Sequence, residues 1–291
     1  MFKGFIAWLD YYISREEPSS LLKAMIGLMA FAGLLGTIFG NQAIRTGAFV
    51  VVVVFVACTM LLLLADRRHL KHAYNTHRVL LARYCDFVID NSPEPLVSIE
   101  AWRQRTYIQT NGDVRDVLTL KAVALREEVY FIRLRAGSGW DQPERYRRDT
   151  KIIARSLRVN GTTGPRWNVT NTWQSTQKIN SILHLHQPIK RGEEIFFEVV
   201  RTWPAKSLPL IQGEAEEFSF RTSALLQIQH VEYSIILPNG FDAVYELIGS
   251  NEPDVQLSAE TNCDKEGRRV FIWRADKVPV KTQLGMRLEL K

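Results

Sequence analysis

Two long runs without a charged residue stand near the start of the chain and constrain its fold more than any other feature. The first, AMIGLMAFAGLLGTIFG, covers 24–40, and the second, GAFVVVVVFVACTMLLLLA, covers 47–65. Each run with its flanks approaches the ~20 apolar residues that a helix needs to cross ~30 Å of hydrocarbon. The sequence therefore predicts a hairpin of two transmembrane helices over 21–65.

The alternative of a secretory signal peptide is disfavoured by what surrounds the first run. About twenty residues precede it, Arg15, Glu16 and Glu17 among them, whereas a signal peptide has a short basic start. A second apolar run also follows after only the six-residue loop NQAIRT.

Basic residues predict the orientation of such a hairpin, because short cytoplasmic segments collect Lys and Arg. The loop between the runs carries only Arg45, whereas several basic residues precede the first run and follow the second. Both termini are expected in the cytoplasm, which describes a multi-pass protein of a bacterial inner membrane with the lipid bilayer as its partner.

The segments around the hairpin have distinct expected roles. Residues 1–20 form an aromatic-rich amphipathic segment suited to a membrane interface. Residues 66–94 continue the second helix as a cytosolic connector that ends at the prolines of NSPEP, and it either transmits motion or serves as a spacer. Gly33, Gly36 and Gly40 favour close helix packing and predict a homo-oligomer.

Residues 95–291 have the pattern of an all-β domain, either a sandwich or a barrel. Short runs rich in Val, Ile, Phe, Tyr and Thr alternate with turn dipeptides. Asn111-Gly112 separates TYIQT from VRDVLTLKAVAL and predicts a β-hairpin, for which Asn-Gly favours a type I′ turn. The expected architecture is a membrane protein with a two-helix hairpin followed by this cytosolic β domain.

The sequence gives no indication of catalysis, a metal or a cofactor. The pairs His69/His72 and His184/His186 have spacings that a metal could use, but no neighbouring residue completes a ligand set. Motifs for a nucleophile elbow, a phosphate-binding loop or a dinucleotide fold are absent from the sequence. The three cysteines show no framework spacing, so no disulfide is predicted. We expect no enzyme activity.

One segment of the β domain combines basic and aromatic residues and is the predicted ligand site. Guanidinium groups bind phosphate and aromatic rings stack on bases, so this composition indicates a nucleotide or nucleic-acid ligand. A solvated basic loop, diluted by Asp141, Glu144 and Asp149, is the alternative. The predicted ligand residues are Trp140, Arg145, Tyr146, Arg147, Arg148, Lys151, Arg155 and Arg166.

The arrangement of two spans, a helical connector and a β-rich domain resembles the two-transmembrane effectors of bacterial anti-phage defence, which accompany cyclic-oligonucleotide, cyclic-pyrimidine and retron systems. The runs YIQTNGDV and EEIFFEVVRTWP are similar to pieces of uncharacterised bacterial β-sandwich domains. The resemblance implies an abortive-infection effector that senses a cyclic nucleotide, a nucleic acid or a defence protein encoded nearby, then oligomerises and permeabilises the inner membrane. A tethered sensor or scaffold that recruits a protein partner is the alternative.

Overall fold

The computed structural model describes residues 42–92, 94–158, 162–223, 226, 228–249 and 255–291. The predicted interfacial segment 1–20, the first apolar run and the predicted packing residues Gly33, Gly36 and Gly40 lie outside these ranges. The chain divides into two compact units, the first ending at Val79 and the second starting at Leu80.

In the part of the chain that the structure describes, the helices are one long element and two short ones. Helix α1 runs over Gln42–Asp90, α2 over Glu144–Asp149 and α3 over Leu208–Ile211. None of the helices within the described ranges combines the length and the apolar composition needed to cross a bilayer.

This finding contradicts the predicted two-helix transmembrane hairpin and, with it, the predicted multi-pass inner-membrane location. The apolar run at 47–65 does not form a separate span. It belongs to a single helix of 49 residues that continues without a break through the charged sequence DRRHLK.

The described part of the second unit is dominated by strands that form two sheets. The large sheet has the order β11-β12-β9-β1-β2-β7-β4-β5-β6-β3, and the small sheet has the order β10-β13-β8. The strands are β1 Val97–Ile108, β2 Val114–Ala124, β3 Glu128–Gly137, β4 Lys151–Leu157, β5 Thr163–Trp173, β6 Lys178–Lys190, β7 Glu194–Trp203, β8 Glu216–Arg221, β9 Ile228–Ile236, β10 Ala243–Ile248, β11 Gln256–Cys263, β12 Arg269–Val278 and β13 Gln283–Leu290.

Alternating burial explains why these strands form a layered core. In β2 every second residue from Val114 to Ala124 is buried, and in β7 the buried positions run from Ile195 to Trp203. Side chains of a strand point alternately to its two faces, so one face of the large sheet turns inward. The pattern fits a β-sandwich, in which the small sheet covers part of that face.

Aromatic side chains connect the two sheets. Phe220 of the small sheet stacks between Trp102 and Trp273 of the large sheet, with ring centroids 5.9 and 5.6 Å away. Tyr245 meets Phe271 edge-on at 6.1 Å. Such aromatic pairs add ~0.5–1.5 kcal/mol each beyond the area that they bury.

The hairpin predicted at Asn111-Gly112 is present, but its turn is of a different type. β1 and β2 pair antiparallel from Ile108↔Val114 outward. A positive φ of 79° occurs at Gly112 and not at Asn111, whereas a type I′ turn needs it at both central residues. The Gly112 N–H donates to the Gln109 carbonyl at 2.9 Å, so the loop is a type I turn followed by a left-handed glycine.

The last turns of α1, which belong to the second unit, pack on strands β3 and β6. Ala82 and Cys85 are buried against Ile182 of β6. Arg133 of β3 donates to Asp86 at 3.0 Å and to Asp90 at 2.7 Å. The hydrogen bond from Arg133 holds the pKa of Asp90 below its ordinary value. These contacts fix the end of α1 on the sheet.

Candidate anion-binding face

Five exposed basic side chains lie on the outer face of the large sheet. Arg103 and Arg105 belong to β1, Arg115 to β2, Lys151 to β4 and Arg166 to β5. Each of these positions is exposed and has a buried residue next to it in its strand, which places the five on the side opposite the core. We call this surface the basic face.

Strand register aligns the residues of the basic face in rows. In one row Arg115 pairs with Thr202 of β7, which also pairs with Lys151. In the next row Arg105 pairs with Val117, and Val117 with Val200. The row is completed by Ile153, which pairs with Val200 and is itself exposed.

The third row shows how much of the positive charge is neutralised. Arg155 pairs in register with Glu198 and with Arg166. Glu198 accepts a hydrogen bond from Arg155 Nε at 2.8 Å, so its charge is already engaged. Within the described ranges, the five cations of the basic face form no ion pair with a carboxylate. In this part of the chain the five cations thus lack a carboxylate partner. Glu198 and Glu232, which pairs in register with Arg103, lie on the same face but already form ion pairs with Arg155 and Arg274.

The basic face is wide enough for more than one phosphate group. It extends over β1, β2, β7, β4 and β5, which are consecutive in the sheet. With neighbouring strands ~4.8 Å apart, the first and last of these strands are separated by roughly 19 Å.

The structure divides the predicted ligand residues into two groups. Lys151, Arg155 and Arg166 lie on the outer face of the large sheet, where Arg155 is paired with Glu198. The other five lie in α2 or just before it. Trp140 donates from Nε1 to the carbonyls of Ala205 at 3.1 Å and Lys206 at 3.0 Å. Its indole is thus bound to the protein itself.

Intramolecular contacts also occupy the side chains of α2. Arg145 lies 4.5 Å over the ring of Tyr146, and Arg147 lies 5.9 Å from the ring of Trp173. Arg148 is 3.6 Å from Asp149. The predicted stacking of a ligand base on Trp140 or Tyr146 would have to displace such contacts, so the α2 group is a poorer candidate than the basic face.

Sequence reasoning missed Arg103, Arg105 and Arg115. Arg103 and Arg105 are two residues apart on one strand, and the Asn-Gly turn brings β2 back beside them. From this spacing and the hairpin register, the position of Arg115 beside Arg103 and Arg105 could have been predicted. The position of Lys151 and Arg166 on the same face could not be predicted from the sequence, because it depends on the pairing of β4 with β7 and β5.

The histidine pair His184/His186 makes contacts within the protein. His184 Nε2 lies 2.9 Å from Thr170 Oγ1, and His186 Nε2 lies 2.9 Å from the Arg166 carbonyl oxygen. Burial lowers the pKa of His184 below its ordinary value.

The same strands carry a row of buried polar residues on the inner side. Asp116 lies directly across from Arg201 in the β2–β7 pairing. Its Oδ1 accepts hydrogen bonds from the Thr106 hydroxyl and, at 3.4 Å, from Gln104 Nε2. Gln104 Nε2 also donates to the Tyr233 hydroxyl at 3.1 Å, and this hydroxyl lies 3.1 Å from Thr106 Oγ1, which can accept its proton. The row therefore crosses four neighbouring strands.

Four charged groups meet in this buried row: Asp116, Arg201, Lys206 and Glu216. Lys206 and Glu216 come from outside the large sheet. Arg201 Nε lies 3.8 Å from Asp116 Oδ2, which is an ion pair and too long for a hydrogen bond. Burial alone would raise the pKa of Asp116. The cations Lys206 and Arg201 and the two hydrogen bonds outweigh burial, so the pKa lies below its ordinary value.

Glu216 behaves in the opposite way. Burial raises the pKa of its carboxyl to about 7, in spite of the opposing effect of Lys206. The Ser207 hydroxyl also opposes the rise in the pKa of Glu216. Within the described ranges, Arg201 Nε has no hydrogen-bond partner. The charges in the row thus depend mainly on one another for compensation.

Comparison with known proteins gives no family for the chain. No family model and no curated protein matches it. Among solved structures, a provisional protease from Parabacteroides distasonis matches 66% of this chain and 40% of its own length, with 12% identity and a TM-score of 0.43. An M1 zinc metallopeptidase from Deinococcus radiodurans matches 66% and 42%, with 16% identity and a TM-score of 0.40. The chain thus spans about two fifths of these structures, and the scores carry no functional argument.

Proposed function

We propose that the β domain is a binding module that takes single-stranded nucleic acid on the basic face. The observation that carries the proposal is the set of five exposed cations, without carboxylate partners in the described ranges, on one side of one sheet. Such a surface attracts a polyanion through release of its counterions.

The dimensions of the face favour an extended ligand over a mononucleotide. A single phosphate can meet the cations of only one or two strands, whereas the basic side chains lie on four strands across roughly 19 Å. A chain with several phosphates engages more of these side chains at once.

The surface between the cations suits unpaired bases. Val117, Val200 and the exposed Ile153 form the apolar part of the row that begins at Arg105, between two other rows with cations. Tyr107, which pairs with Arg115, is partly exposed beside them, but Arg268 lies 5.7 Å from its ring, so the apolar side chains are the main surface for bases. Unstacked bases pack on apolar and aromatic side chains, while a duplex hides its bases and would present phosphates alone.

A sensing role in anti-phage defence is consistent with this activity and stays a proposal. Nucleic acid bound on the basic face would report infection, and the ion pairs from Arg133 to Asp86 and Asp90 connect the sheet to the end of α1. Permeabilisation of a membrane is not part of the proposal. The competing function is a scaffold that binds an acidic protein on the same face.

Replacing Arg115 with Ala tests the proposal. We expect the Kd for a fluorescently labelled 20-nucleotide single-stranded RNA or DNA to rise about 10-fold, because one charge-assisted contact is worth ~1.5 kcal/mol. The measurement is fluorescence anisotropy of the labelled oligonucleotide titrated with the full chain.

The matched control is Arg287→Ala. Arg287 is also an exposed arginine within a strand, but it lies on the small sheet. Its replacement should leave the Kd within about 2-fold of the wild-type value, since non-specific loss of charge has only a screened, long-range effect. Equal losses in both variants, or no binding by the wild-type chain, would contradict the proposed site.

A further inference from the structure

Helix α1 carries a regular 3-4 spacing of mostly apolar residues. From Val53 to Val88, intervals of three and four residues alternate through eleven positions, of which nine are apolar or aromatic. The other two are Arg67 and His77. An alternation of three and four gives a mean period of 3.5 residues, which is the period of a coiled coil. We call these eleven positions the seam.

The seam is exposed along its length. Its nine apolar or aromatic side chains are between 45% and 70% exposed, with Leu81 at the lower limit and Tyr84 at the upper. Arg67 and His77 are exposed as well. Apolar side chains off the seam, such as Leu64, Leu80 and Phe87, are exposed as well, so the seam is distinguished by its 3-4 period and not by exposure alone. Exposed apolar surface of this extent is costly in water and marks an interaction surface.

The β domain does not cover the seam even where it contacts α1. Within the second unit, Ala82 and Cys85 are buried on the sheet, whereas Leu81, Tyr84 and Val88 of the seam remain exposed. The helix therefore has two functional sides in this region. One side is held by the β domain of the same chain, and the other needs a different partner.

The size of the seam matches what a second helix of the same kind would cover. At ~1.5 Å per residue, the stretch 53–88 is about 54 Å long, and a helix presents a strip roughly 10 Å wide. Two such strips together amount to roughly 1,000 Å², which reaches the lower limit for a specific interface. Knobs and holes with the 3.5 period are complementary to a helix with the same period.

We propose that α1 pairs with α1 of a second copy of this chain along the seam. Identical copies present the identical seam, so a two-fold axis brings matching surfaces together. Arg67 and His77 are the polar residues that interrupt the apolar seam. Polar residues at such positions restrict the register and the number of helices, at some cost in stability.

Sedimentation of the purified full chain tests the pairing. The wild-type chain should sediment as a dimer with twice the 33.4 kDa of one chain. The double variant Leu81→Glu/Tyr84→Glu should sediment at half the dimer mass, because it places like charges in the seam. Both side chains are exposed, so the variant should keep its fold, which circular dichroism checks.

The control is Arg83→Glu, which reverses an exposed charge between the two seam residues but off the seam itself. This variant should stay dimeric. A monomeric wild-type chain, whether alone or bound to phospholipid vesicles or another protein, would overturn the proposal. So would dissociation by Arg83→Glu to the same extent as by the seam variant, or a double variant that remains dimeric.

Discussion

Replacing Asp116 with Ala should lower the free energy of unfolding by about 3–5 kcal/mol. The Asp116 side chain is 2% exposed and is the closest carboxylate to the buried Arg201. Its removal leaves Arg201 and Lys206 as buried cations without adequate compensation, and it removes the acceptor of the hydrogen bonds from Thr106 and Gln104. An uncompensated buried charge is among the most destabilising changes that a folded protein can undergo.

Chemical denaturation of the full chain, followed by tryptophan fluorescence, measures this loss. Asp276→Ala is the control, because Asp276 also forms an ion pair with a basic residue, His230, but is 56% exposed. Exposed pairs contribute little, so the control should change stability by less than about 1 kcal/mol. A loss for Asp116→Ala no larger than that of the control would mean that the buried row does not hold the sheet together.

Glu216 should make stability depend on pH near neutrality. Its pKa is about 7 in the folded chain and 4.5 ordinarily, so the folded state binds more protons between these values. The contribution of Glu216 is therefore fully present below pH 4.5 and is lost as pH rises through 7. The shift from 4.5 to about 7 corresponds to about 3 kcal/mol.

The variant Glu216→Gln resembles the protonated carboxyl and should remove this dependence. We expect it to match the wild-type chain at pH 4.5 and to be about 3 kcal/mol more stable at pH 8.5, as measured by denaturation at both pH values. The neighbouring Glu217 is exposed, and Glu217→Gln should follow the wild-type pH profile. A Glu216→Gln profile that runs parallel to wild type would show that Glu216 titrates outside this range.

The β-rich character of residues 95–291 was predictable because its evidence is local. Alternating apolar residues and turn dipeptides are properties of short stretches, and the strands β1 and β2 follow from VRDVLTLKAVAL and the turn before it. The details of the turn were not predictable from Asn-Gly alone. A glycine with positive φ occurs both in two-residue type I′ hairpin loops and in longer hairpin loops, and the loop at Gly112 is one of the longer ones.

The sites were harder to predict because they depend on long-range pairing. Arg115 and Asp116 are neighbours in sequence, and from the sequence alone both look like polar residues of a half-exposed strand. Only the pairing of β2 with β1 and β7 places Asp116 among Thr106 and Arg201, and Arg115 on the surface. The contacts of Trp140 were not predictable for a similar reason, since its carbonyl partners come from 65 and 66 residues further along the chain.

The membrane prediction shows the limit of reading an apolar run by itself. The run at 47–65 was assigned to a membrane span because it lacks charges, and its helical continuation over 66–94 was expected as a connector. The helix does continue to Asp90, but within the described ranges it does not have the apolar length that a span requires. A heptad spacing that runs through both the apolar and the charged part of a helix is evidence of a different kind. The heptad spacing continues across Arg67 and His77, so it is recognised from the 3.5-residue period and not from the local hydropathy.

The salt dependence of oligonucleotide binding tests the central claim most directly. If all five cations of the basic face contact phosphates, the logarithm of the association constant for a single-stranded oligonucleotide should fall with the logarithm of salt concentration with a slope of about −3.5. Arg115→Ala should reduce this slope by about 0.7. A slope near zero for the wild-type chain, or a slope that Arg115→Ala leaves unchanged, would contradict binding of nucleic acid on the basic face.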